Sequence, residues 1–108
     1  VLTPEQAEFR YEPGKWSIKE MLGHMADTER IFVYRALCFA RGEKVALPGF
    51  NEDAYVAGAN FGTRSLADLV AELRVVRAGT VAFFAGLGLA LAAAAPAQTG
   101  TQAWVAVG

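Results

Sequence analysis

Two apolar stripes at helical spacing, separated by a run of helix breakers, constrain this chain more than any other feature. Ile18, Leu22, Met25, Phe32, Ala36 and Phe39 recur at intervals of three, four and seven, the repeat of one helix face. Leu66, Leu69, Val70, Leu73, Val76, Val81, Phe84 and Leu87 repeat the pattern further on. Between them lie Pro48-Gly49, Asn51, Gly58, Asn60 and Gly62, which leave room only for a short helix around Glu52 to Ala59, with Phe50, Tyr55 and Phe61 as aromatic anchors. Ahead of them Pro4 and Pro13-Gly14 allow at most one helical turn. The pattern predicts an all-α chain: a lead-in over 1–16, a helix over 17–42, a connector with a short helix over 43–64, a helix over 65–87 and an irregular Ala/Gly-rich tail over 88–108. A length of 108 residues makes this one domain, with roughly 65% of the unfolded surface buried on folding.

The helix starts carry their own signals. Ser17 and Glu20 have the spacing of a capping box, with Trp16 before it as a staple residue, and Ser65 with Asp68 forms a weaker version. Glu29 falls inside the first stripe, seven residues after Leu22 and seven before Ala36, where an unpaired carboxylate is costly. Its candidate partners are Arg30, Arg35, Arg77 on the later helix, or a bound cation. The commonest solution to such a position is an inter-helix ion pair.

Ten Lys and Arg against eleven Asp and Glu give a formal net charge of −1, far from the basic balance that a nucleic-acid partner demands. Cys38, the single cysteine, has no internal disulfide partner and sits among Ala36, Leu37 and Phe39, the setting of an inert packed thiol in a reducing compartment. With no charged segment leading into an apolar one at Val1, a cytoplasmic protein is expected. No charged residue occurs from Ala78 to Gly108. The apolar run Val81 to Ala95 falls short of the ~20 residues of a membrane span and lacks basic flanks, so no membrane partner is expected. The ordinary reading is a helix continuing loosely towards Pro96, then a tail in which Trp104, Val105 and Val107 form a short edge strand or stay unstructured.

His24 is the only histidine, on the flank of the first stripe with Glu20, Thr28, Ile31 and Arg35. A lone helical histidine is more often a surface or hydrogen-bonded residue than a metal ligand, because bundle metal sites draw ligands from several helices. Glu20 and Asp27 are spaced to join it around a divalent ion, and equally to act as solvated or capping residues. No phosphate loop, paired-cysteine motif or nucleophile elbow is present, so covalent and nucleotide chemistry has no support.

The blocks PGKWSIKEMLGHMADTERIF (13–32), YRALCFARGE (34–43), LPGFNEDAY (47–55) and RSLADLVAELRVVR (64–77) occur in an order that resembles the DinB-like superfamily, over roughly residues 3 to 87. The resemblance implies an antiparallel four-helix bundle, frequently dimeric, that holds a divalent metal such as zinc or nickel. Relatives include transferases that use low-molecular-weight thiols and proteins described as metal-dependent hydrolases. The family's first metal-ligand histidine lies in the block that reads GHMADTE here, so that role carries over to His24. The other ligands belong to a last helix with a pattern like GHxxHH, and no histidine follows His24. An opening helix before Leu2-Thr3-Pro4-Glu5 is also missing, so the resemblance is to an incomplete member and a partial bundle. The uncharged run and Thr99-Gly100-Thr101 suit a truncated or frame-shifted end. Two expectations follow: a chain inactive by itself whose parent acts on a small thiol or other small molecule, or a non-catalytic module that forms homo-oligomers through exposed apolar helix faces.

Overall fold

A computed structural model describes residues 2–94, and over them the chain is all-helical. It contains α1 (Pro4–Ala7), α2 (Ile18–Ala40), α3 (Glu52–Ala59), a 3-10 turn at Phe61–Thr63 and α4 (Leu66–Ala94). The Trp104 to Val107 segment and Thr99-Gly100-Thr101 lie outside the described residues.

Local chemistry sets the helix ends. The Ser17 hydroxyl accepts from the Glu20 amide at 3.1 Å while the Glu20 carboxylate accepts from the Ser17 amide at 3.0 Å, so the box closes reciprocally at the start of α2. At the other end Gly42 takes the left-handed conformation (φ 79°), and the amides of Gly42 and Glu43 donate to Phe39 and Cys38 carbonyls at 3.1 and 2.9 Å. That pair of bonds is a Schellman stop, open to glycine because it lacks a Cβ. Asn51 caps α3, and the Ser65 hydroxyl accepts from the Asp68 amide at 3.1 Å to open α4. α4 then continues to Ala94, about two turns beyond the expected stop at 87, because Ala and Leu after Gly88 are strong helix formers with no breaker before Pro96.

α2 and α4 are the main packed pair. Leu22 packs on the cluster holding Leu69, Arg30 pairs with Glu72, and Glu29 pairs with Arg77 and Thr80. Partner numbers rise together, so the two long helices run parallel; the antiparallel order expected of the bundle does not hold for this pair. Parallel neighbours need a crossover, and α2, at 23 residues or ~34 Å, is easily retraced by the segment from Arg41 to Ser65.

The core sits at the N-terminal end of the pair, where Val56, Phe61 and Leu69 are buried and Trp16 and Leu22 pack against them. The expected stripes are only partly the buried ones. On α2 the buried residues are Gly23 and Ala26, whereas Met25, Phe32 and Phe39 are 42, 56 and 76% exposed. On α4 the half-buried row passes from Val76 through Thr80, Phe83 and Leu87, while Val81 and Phe84 stay 61 and 49% exposed. One long neighbour covers one strip of a helix, so each partner keeps a second apolar strip uncovered.

Candidate metal-ligand site at the α2–α4 cleft

Gly23 and His24 are consecutive on α2 and face different surroundings. A Cβ built on Gly23 would lie 2.3 Å from Cε1 of Phe61, so the aromatic ring rests directly on the helix backbone at that point. Sequence pattern gave no hint of this contact, since a glycine inside a helix leaves no periodic signal. The Phe61 ring fixes the connector against α2 one residue before His24.

His24 is half-buried and packs against Trp16 with ring centroids 4.5 Å apart and ring planes tilted by 45°. The Thr28 hydroxyl lies 3.3 Å from Nδ1 and 3.4 Å from Nε2, within hydrogen-bonding reach of either ring nitrogen. The ring opens onto a cleft of about 380 Å³ lined by Met25, Thr28, Phe32, Arg77, Thr80 and Phe84, among others.

Glu29 lines the same cleft and is fully engaged. Arg77 Nε donates to both carboxylate oxygens at 2.9 and 3.1 Å, and the Thr80 hydroxyl lies 2.8 Å from Oε2 with the Val76 carbonyl at 3.0 Å as a second acceptor. Of the partners open to Glu29 from the sequence, Arg77 is the one found. Hydrogen bonds from Arg77 and then Thr80 hold the carboxyl below the usual carboxylate range. Glu29 therefore locks the helix pair and is not free to bind a cation.

The other carboxylates near His24 divide in the same way. Glu20 closes the capping box and pairs with Arg10; chiefly the Ser17 amide keeps its carboxyl below the usual range. Glu72 bridges Arg30 and Arg64, and those bonds lower it too. Asp27, one turn from His24, is pushed up by burial, with Arg30 the first opposing influence and His24 among the charges it feels.

The matching of the whole sequence to family models decides the kinship: the DinB superfamily model matches residues 1–107. The chain belongs to the DinB superfamily. The match extends past the 3–87 stretch on which the resemblance rested and includes the uncharged run. No curated protein and no solved structure matches the chain.

The metal that DinB membership suggests can be tested against these side chains. Among the described residues no group of three or more His, Cys, Asp and Glu side chains lies close enough to hold a metal ion. One imidazole and one carboxylate fall short of the three protein ligands of an open catalytic zinc site, so the described residues do not fit a complete centre.

Proposed function

We propose that this DinB-superfamily chain contributes His24 as a single imidazole ligand for a divalent ion such as zinc or nickel, within a four-helix arrangement to which α2 and α4 supply one parallel pair. The support is the state of the His24 ring. It is placed by the Trp16 ring, opens on the α2–α4 cleft, and has as its polar neighbour the Thr28 hydroxyl, which can serve one ring nitrogen at a time, whereas Glu20, Glu29 and Glu72 around it are held by charged or backbone groups. A ligand histidine on a helix needs a positioned ring with a free nitrogen.

In this reading the chain's own residues hold and aim the imidazole. Phe61 on Gly23 sets the height of the connector, Trp16 sets the ring plane, and the Glu29–Arg77–Thr80 bonds fix the register of α4 against α2. With one imidazole among these 108 residues, hydrolase or thiol-transferase chemistry of the kind associated with the family requires ligands from beyond them, and these residues alone are without turnover. The substrate class that fits the family is a small thiol or other small molecule in the cytoplasm.

Zinc and nickel titrations of the chain and of His24→Ala, followed by calorimetry with a thiol-transfer and ester-hydrolysis assay in parallel, test the proposal. A binding step lost in His24→Ala, without turnover by monomeric chain, supports it. Equal binding by both proteins, no binding by either, or turnover by the monomer would overturn it.

A further inference from the structure

Residues 8–17 form a loop between α1 and α2 that is closed on itself. Its ends meet where the Ile18 amide donates to the Phe9 carbonyl at 3.2 Å. Within it the Lys15 amide donates to the Glu12 carbonyl at 3.2 Å, and Gly14 takes the left-handed conformation (φ 82°). Arg10 Nη1 donates to the Lys15 carbonyl at 2.6 Å and pairs with Glu20 on the first turn of α2. A compact loop with joined ends holds its side chains in set places, and such loops frequently carry function. This one secures itself through its backbone and leaves aromatic side chains outside: Phe9 is 57% and Tyr11 70% exposed.

Phe9, Tyr11 and Trp16 from the loop, with Met21 from α2, wall a cavity of about 650 Å³. It is larger than the cleft at His24, shares no lining residue with it, and has the size of a small-molecule site. Two residues of opposite charge complete the lining, Lys15 from the loop and Asp53 from the first turn of α3. Neighbouring charges are paired, Arg10 with Glu20 and Lys19 with Glu8. Among the described residues neither the Lys15 ammonium nor the Asp53 carboxylate has an ion-pair partner, although both face one cavity.

We propose that this cavity binds a small aromatic zwitterion, an amino acid or a dipeptide, with its carboxylate at Lys15, its ammonium at Asp53 and its ring among Phe9, Tyr11 and Trp16. The two charges decide the class. A ligand with a single charge gains one contact and faces a like charge at the other, whereas a zwitterion satisfies both. A wholly apolar ligand would draw both charges away from water with nothing in return. The walls decide the body, since aromatic rings meeting edge to face or offset contribute beyond the area they bury. The cavity lies apart from the His24 cleft, so the inference goes beyond the metal reading and stands whether or not His24 binds an ion.

Trp16 and Trp104 are the two tryptophans, so fluorescence of the Trp104→Phe chain reports on the cavity wall alone. The test is a titration with L-phenylalanine and with phenylalanylglycine, against phenylalaninamide, N-acetylphenylalanine and N-acetylphenylalaninamide, which lack one charge or both. A saturable change is expected with at least one of the two zwitterions, and which of them binds separates amino acid from dipeptide. Each capped form should bind about tenfold more weakly or worse, the loss of one hydrogen bond between charged groups. Lys15→Gln should bring the zwitterion down to the level of phenylalaninamide without weakening phenylalaninamide itself. Asp53→Asn should do the same with respect to N-acetylphenylalanine. No saturable change with either zwitterion, equal affinity for zwitterions and capped forms, or folded variants that weaken every ligand alike would overturn the proposal. The charge series on the chain with Lys15 and Asp53 intact decides it even if a variant misfolds.

Discussion

Replacing Gly23 by alanine tests the packing that places His24, and the structure sets both sign and size. In an open helix the change is favourable by about 1 kcal/mol, because glycine has the larger backbone entropy to lose. Here the new methyl would meet Phe61 Cε1, Cδ1 and Cζ at 2.3, 2.4 and 2.4 Å, against the ~3.5–4.0 Å of an ordinary carbon contact. The ring is 6% exposed and backed by Val56 and Leu69, so it has nowhere close to go. Contacts this short put the overpacking cost at the upper end of the usual range, about 2–3 kcal/mol, so a net loss of about 1–2 kcal/mol is expected, or a fall of roughly 4–16 °C in Tm. The assay is a double-mutant cycle by thermal and urea unfolding with Phe61→Leu, whose smaller side chain frees the space. In the Phe61→Leu background Gly23→Ala should be neutral or stabilising, giving a coupling of about 2 kcal/mol. A Gly23→Ala chain more stable than the parent, or a coupling near zero, would refute the reasoning.

Other substitutions separate the remaining interactions. Ser17→Ala removes the acceptor for the Glu20 amide and should cost about 1 kcal/mol, read from urea midpoints at constant m. Because Glu29 has a folded-state pKa below its unfolded one, its contribution is present above the ordinary glutamate range and is lost as pH falls through the lowered folded value; Glu29→Gln should lower Tm at neutral pH and lose that penalty in acid. Asp27 has the opposite sign, since its raised folded pKa makes the charged form unfavourable as pH rises, and Asp27→Asn should raise Tm at neutral pH with the gain vanishing in acid. If both pH profiles match the parent's, the assigned partners are wrong.

The helix ends were legible because single residues carry them. Ser17 with Glu20 and Gly42 each satisfy orphan backbone groups by local chemistry that does not depend on the rest of the fold. The inner row of α4 is legible as far as Val76 and again at Leu87, but not between them. Past Arg77 the helix carries no charge on any side, so its period loses phase, and the hydroxyl of Thr80 gives no apolar signal while Val81 beside it does. The bond of Thr80 to Glu29 explains why it lies inward. The helix order was hidden as well, since the segment from Arg41 to Ser65 is long enough for either direction. His24 stood out through the family block GHMADTE and not through periodicity, which places it on a flank. Gly23 beneath Phe61 left no trace, because the contact is made by the absence of a side chain.

The most direct test of the central claim is nitrogen-15 NMR of the single imidazole during zinc addition. The account predicts one ring nitrogen moving to the range of a metal-bound imidazole while the other keeps its proton, with Trp16 signals responding through the ring contact. Two ring nitrogens indifferent to zinc would contradict it, and would leave His24 as a packing partner of Trp16 alone.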